Sequence, residues 1–208
     1  MAKQEAPLEY LSRYIPAKSV PRVIQYLNRY QVHLTVTRER KSVLGDYRHA
    51  THQENHRISV NSNLNPYAFL ITLIHELAHL VTFMQWGRTV APHGKEWKHV
   101  YAHLMKDFMD LSIFPEVIHQ HLIQSIHNLP ASSCSDLTLM RILKQFDPVN
   151  PSVMLIEQLP EGALFLAEGK RVFRKGKKLR KRYHCVEIAT NKAYLFSPIY
   201  EVELKSGV

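Results

Sequence analysis

Between Asn65 and Gly87 the chain runs apolar on nearly every side, through Ala68-Phe69-Leu70-Ile71-Thr72-Leu73-Ile74, and then places His75-Glu76-Leu77-Ala78-His79 in the same stretch. Asn65-Pro66 reads as a helix start, Asn as N-cap and Pro at the first helical position, and Gly87 as a stop. A helix hydrophobic nearly all round belongs at the centre of a core. Two histidines and a glutamate are costly to bury there without partners. Positions i and i+4 lie one turn apart on one helix face, so His75 and His79 can reach one metal ion as neutral imidazoles. Glu76 is rotated by roughly 100° from His75 and falls beside that ion, where a base can take a proton from a metal-bound water.

A catalytic zinc takes three protein ligands and keeps one position open for water. Leu80-Val81-Thr82-Phe83-Met84-Gln85 rules out the metzincin spacing, which would put a Gly and then a His soon after His79. Glu96 and Glu116 are acidic candidates for the third ligand, and His99 and His103 form a second i,i+4 pair. His93 is the better candidate, because Pro92 and Gly94 flank it in a loop that can turn the chain back toward the first helix.

HELAHL, followed fourteen residues after its second histidine by HGKEW, resembles the SprT-like zinc metallopeptidase family. That family includes the Spartan-type proteases that cut proteins crosslinked to DNA. Leu44-Gly45-Asp46-Tyr47-Arg48 and Arg57-Ile58-Ser59-Val60-Asn61 resemble the family's approach to its active-site helix, and the resemblance covers about residues 8 to 112. It implies one catalytic Zn2+ held by His75, His79 and His93, with Glu76 as the catalytic acid/base.

The chain has 208 residues, enough for one domain with a small appendage, and its 45% hydrophobic content is ample for a core. Cys134 and Cys185 cannot build a disulfide framework, and neither belongs to a CxxC pair. The opening Met-Ala-Lys-Gln-Glu-Ala-Pro lacks the apolar core of a signal peptide, and no run approaches a membrane span, so the expected home is the cytoplasm. The formal charge is +9, and residues 161–208 carry 11 Lys/Arg against 5 Asp/Glu. Such asymmetry points to a polyanion, most often nucleic acid; a solvated basic surface is the plainer alternative.

In chain order, residues 8–30 read as helical pieces broken near Pro16 and Pro21. Strands are expected over Val32–Thr37, Tyr47–Ala50 (after a Gly45-Asp46 turn) and Arg57–Asn61. His49, His52 and His56 match no ligand spacing and read as a solvated loop. Trp97, Val100, Tyr101, Leu104, Met105 and Phe108 form a helical stripe over Glu96–Leu111 that would fix the loop holding His93. A further helix is expected over Phe114–Leu129, with His119, His121 and His127 at its surface. The fold class expected is α+β: helices packed on a small antiparallel sheet in a zincin-like core, then a small C-terminal β-meander. The domains are 1–130 for the peptidase, 131–160 for a connector and 161–208 for a basic β module.

Three strands are expected in that module, Ala163–Phe173, Leu179–Ala189 and Ala193–Leu204, with turns at Lys175-Gly176-Lys177 and Thr190-Asn191-Lys192. Its basic run supplies candidate nucleic-acid contacts at Lys170, Arg171, Arg174, Lys175, Lys177, Lys178, Arg180, Lys181, Arg182 and Tyr183. Cations would neutralise phosphates, and Phe173 and Tyr183 would stack on bases. The same run would also serve as a charge-protected edge strand. Many SprT-like proteins carry a C-terminal zinc ribbon. Here Cys185 resembles one knuckle's first cysteine, with Ile188 where the second would be, so a ribbon-like module without structural zinc is expected.

The function expected is a zinc metalloprotease acting on DNA-associated or DNA-crosslinked proteins. Its partners would be a protein or peptide substrate and DNA, with no membrane. The alternative is a nucleic-acid-binding protein with a non-catalytic metal site.

Overall fold

The computed structural model describes residues 8–40, 43–126, 136–167 and 169–204. His127, Cys134 and the Pro130–Ser135 break lie outside the described residues. The chain divides into two compact units after Asp147.

In the first unit, 3₁₀ turns at Leu8–Arg13 and Ala17–Ser19 lead into α1 (Val20–Arg29). Pro21 stands in the first turn of α1, where it starts the helix instead of breaking it. Then come β1 (His33–Thr37), β2 (Gly45–Arg48), β3 (Arg57–Asn61), α2 (Pro66–Trp86), α3 (Lys95–Met109), α4 (Glu116–Ser125) and α5 (Leu137–Lys144). The α+β class is as expected, but the first sheet is mixed, with order β1-β3-β2. β2 pairs antiparallel to β3, while β1 runs parallel to it, His33 opposite Arg57 and Thr37 opposite Asn61. A parallel pair needs a long crossover, and here the chain makes β2 on the far edge before returning to the middle.

α2 is the axis of this unit. Phe69, Leu70, Leu73, Ile74, Leu77, Ala78 and Leu80 have no exposed surface. Its length and composition would suffice to cross a membrane, yet 78% of the apolar window is buried inside this fold. Asn65 caps it, its side chain accepting from the backbone N–H of Tyr67 and Ala68. The same side chain donates to the Leu143 carbonyl and to Asp147, which ties α5 to the start of α2. Gly87 ends the helix with φ of 60°, a conformation a side chain would strain.

His49, His52 and His56 do not share one solvated loop. His56 is buried, its Nδ1 within 2.9 Å of the Tyr47 hydroxyl and accepting from the Ala50 N–H. His49 stacks on Phe83 and lies 2.6 Å from Arg88, and only His52 is fully exposed.

The second unit is a six-stranded antiparallel sheet, ordered β4-β9-β5-β6-β7-β8. The strands are β4 (Met154–Leu155), β5 (Leu164–Ala167), β6 (Arg171–Leu179), β7 (Arg182–Glu187), β8 (Ala193–Phe196) and β9 (Glu201–Leu204). Gly169 and Lys170, both at positive φ, split the first expected strand. Lys175-Gly176-Lys177 is no turn. It lies inside β6 at a register shift, and the hairpin turns at Arg180-Lys181. Glycine is required at 176 because a Cβ there would stand 2.6 Å from the His184 carbonyl oxygen of β7. The core is small: Ile156, Leu159, Phe165, Ala167, Phe173, Cys185, Phe196 and Val202. Burial pushes the Cys185 thiol up and keeps it protonated.

Candidate metal centre

α2 presents His75 and His79 one turn apart, and the loop before α3 brings His93 to them. The His75 Nε2 lies 3.2 Å from the Nε2 of His79 and 3.2 Å from that of His93. One ligand atom from each of the three residues falls within 4.8 Å of the others, and no other such group occurs among the described residues. Glu96, Glu116, His99 and His103 are not part of it. For zinc held tetrahedrally at about 2.0–2.1 Å by nitrogen, the spacing between two ligand atoms is about 3.3 Å. The two spacings from His75 match, and His79 and His93 lie within 4.8 Å of each other.

The electrostatics suit a cation as well. Burial, then the neighbouring His79 and His93, push His75 down to about 3. Burial, then His93, push His79 down to about 4, and burial lowers His93. At neutral pH all three are uncharged imidazoles, the form a metal requires. These residues therefore could hold a metal ion, and the all-nitrogen donor set with a partly open rim suits zinc.

His93 adopts φ of 59°, the left-handed region that a non-glycine residue enters at a cost of about 1–3 kcal/mol. The Gly94 N–H closes a turn onto the Ala91 carbonyl at 2.9 Å, and Gly94 then begins α3. Trp97, one turn into α3, lies 4.7 Å from the His75 ring, 5.3 Å from His79 and 4.7 Å from His93. A single indole thus packs on all three imidazoles. His75 Nδ1 is buried without a hydrogen-bond partner among the described residues, so packing orients this ring. The helical stripe pointed to Trp97 as support for the His93 loop, but its contact with the other two histidines was not legible.

Glu76 is 7% exposed. Burial, then the Asp46 carboxylate, push its carboxyl up to about 8, while Arg40 pulls the other way. β2 lies close against it. A Cβ at Gly45 would stand 2.7 Å from Glu76 Oε1 and 2.8 Å from Thr72 Cγ2. Gly45 is therefore a strand residue, needed for close approach, and not part of a turn.

Asn61, buried at the end of β3, holds the chain that leads into β2. Its side-chain amide donates to the carbonyls of Arg40 and Val43, and its oxygen accepts from Arg40 Nε at 2.8 Å. Sequence reasoning took Asn61 only as a strand end. The one available signal was an asparagine where strand pairing had run out.

In the second unit the ten expected nucleic-acid residues separate. Lys175 is 4% exposed, donates to the Leu159 carbonyl and sits 4.2 Å over the Tyr183 ring. It is a core cation and cannot meet a phosphate. Arg171 pairs with Glu187 at 2.7 Å and covers Phe173 and Tyr194. Phe173 is fully buried, and Tyr183 is half-buried against the core with Lys175 over one face. Lys170, Arg174, Lys177, Lys178, Arg180, Lys181 and Arg182 are exposed.

The sequence model of the SprT-like family matches residues 19–120. Protein SprT of Vibrio parahaemolyticus is 60% identical over 37 residues, 17% of this chain and 22% of that protein. Protein SprT of Escherichia coli is 38% identical over 77 residues, 35% of this chain and 42% of that protein, and Protein SprT of Shigella boydii matches to the same extent. The chain thus spans less than half the length of the curated relatives it matches. No solved structure matches it.

Proposed function

We propose that this chain, whose residues 19–120 belong to the SprT-like family, is a zinc-dependent peptidase acting on proteins associated with or crosslinked to DNA. The observation that carries the reading is the convergence of three neutral imidazoles beside a buried glutamate of raised pKa. A dication held by His75, His79 and His93 would acidify a bound water and polarise the scissile carbonyl. Glu76 accepts the water proton on a carboxylate oxygen and returns it to the leaving amine. Burial and Asp46 raise its pKa to about 8, and a neighbouring dication would draw it back toward neutral pH, where the carboxylate can act as general base. Trp97 holds the imidazoles in place, and Gly45 lets β2 close over Glu76. The exposed cations of the second unit support recruitment to nucleic acid. A cytoplasmic home is part of the same proposal.

The test is cleavage of a DNA-binding protein by the full chain, with and without DNA. Chelation is expected to stop cleavage and zinc to restore it. Zinc at one hundred times its dissociation constant adds about 2.7 kcal/mol to the first unit's stability, read as a rise in melting temperature. Stoichiometric zinc with no cleavage under any condition would overturn the peptidase reading in favour of a nucleic-acid-binding protein on a metal-bearing scaffold.

Gly45→Ala offers a finer test. The clash falls on the Glu76 side chain and on the stiff, buried Thr72 Cγ2, so the Glu76 carboxylate shifts. Zinc content and melting temperature of the variant are measured alongside to show that fold and metal site are kept. A displacement of about 1 Å lowers the turnover rate by up to roughly 100-fold. Wild-type turnover in this variant would remove the positioning role from Gly45.

A further inference from the structure

We infer that the tip of the β6–β7 hairpin docks on double-helical DNA, entering the major groove as a two-stranded ribbon with its cations on the flanking phosphates. This deepens the nucleic-acid part of the reading above and rests on it.

The first observation is charge without partners. All six residues from Lys177 to Arg182 are exposed, and five are cations. Lys177, Lys178, Arg180, Lys181 and Arg182 have no ion-pair partner among the described residues. The same sheet pairs Arg171 with Glu187 and buries Lys175; Lys170, Arg174 and Lys192 are exposed too, but these five lie together within six residues at one hairpin tip.

The second observation is the lack of a stacking platform. The second unit contains six aromatic residues. Phe165, Phe173 and Phe196 are buried, and Tyr183, Tyr194 and Tyr200 pack against that core. Lys175 already covers one face of Tyr183. Single-strand binders draw much of their affinity from bases stacked on free aromatic faces, at about 1–3 kcal/mol per base. Here every aromatic ring is buried or packed against that core, so phosphate contacts carry most of the affinity.

The third observation is shape. β5 pairs with β6 only as far as Leu164 opposite Arg174, and β8 pairs with β7 only from Phe196 opposite Tyr183. Backbone hydrogen bonds from Gly162 and Ala163 reach Lys175, and beyond that point the hairpin has no paired strand on either side among the described residues. Two strands about 4.8 Å apart, with side chains, fill about 10 Å. That fits the major groove of B-DNA, about 12 Å wide, and exceeds the minor groove at about 6 Å. Leu179 and Leu195, each about half exposed, line a shallow hollow of about 300 Å³ with Arg180, Lys181 and Arg182. Exposed leucines among cations give a polyanion backbone nothing, but they suit the methyl edge of thymine inside the groove.

The test is fluorescence anisotropy of the full chain with a labelled 20-base-pair duplex and with either strand alone, from 50 to 200 mM salt. The duplex is expected to bind at least tenfold tighter than the single strand. Five neutralised phosphates give a slope of about −4.5 in log affinity against log salt, a loss of roughly 500-fold across that range. Changing all five cations to glutamine removes duplex binding and leaves the far-UV circular dichroism unchanged, while Lys170→Gln with Arg174→Gln binds as wild type. A single strand that binds as tightly as duplex overturns the groove inference and leaves nucleic-acid binding standing. Binding of neither overturns both. Duplex binding that survives the five changes, or that polyglutamate displaces as readily as duplex does, overturns the hairpin assignment.

Discussion

Glu76→Gln is expected to retain zinc at wild-type stoichiometry and to lose peptide hydrolysis by roughly 10²- to 10⁴-fold, the usual contribution of a positioned acid/base. Glutamine keeps the shape, so the packing of β2 against the helix at Gly45 survives. What disappears is the buried carboxylate, next to His75 on the helix, that accepts the proton in this reading. The change also removes a carboxyl whose ionised form burial and Asp46 both oppose, so the folded unit is no less stable for it. Zinc content measured on the same preparation separates this outcome from loss of the site. His93→Ala gives the converse result, because it removes a ligand and lowers metal content along with activity. Hydrolysis by the glutamine variant within threefold of wild type would mean that another group takes the proton.

The second large effect lies in the other unit. Phe173 has no exposed surface and sits 5.0 Å from Phe196, 5.4 Å from Tyr194 and 5.5 Å from Phe165. Truncating a buried phenylalanine costs about 3–5 kcal/mol. A unit of about 60 residues has only about 3–9 kcal/mol of stability to lose. Phe173→Ala therefore removes half or more of a mid-range stability and brings the second unit's melting down toward room temperature. The expected readout is loss of strand signal in circular dichroism and proteolytic release within residues 148–208. Both tryptophans, Trp86 and Trp97, lie in the first unit, so their fluorescence follows the other transition separately. A variant that keeps its strand signal above 50 °C would mean that something besides this eight-residue core holds the sheet.

What was legible in the sequence was local. The cap at Asn65, the stop at Gly87 and the pairing of His75 with His79 follow from spacing within one helix, which backbone geometry fixes wherever the helix ends up. His93 was legible because Pro92 and Gly94 mark a turn at a distance the chain can close. The helical stripe after it gave α3 to within two residues.

The errors share a cause. Gly45 and Gly176 were both read as turn residues, since glycine in isolation signals a turn. Each instead sits in a strand beneath a group that chain contact brings close, Glu76 in one case and the His184 carbonyl in the other. Lys175 was counted as a phosphate contact because charge is assumed exposed. In the fold its pleat faces inward, and burial lowers its pKa while carbonyls accept its protons. The parallel pairing of β1 with β3 left no trace in either strand, because alternation reports which face is buried and not which neighbour is beside it. By itself, then, the sequence determined the central helix and the histidine pair that could hold a metal, since those depend on positions a few residues apart, and the Pro-His-Gly turn pointed to His93. Tertiary structure alone decided what lies over Glu76, which cations remain free and which strands pair, since those depend on residues brought together from far along the chain.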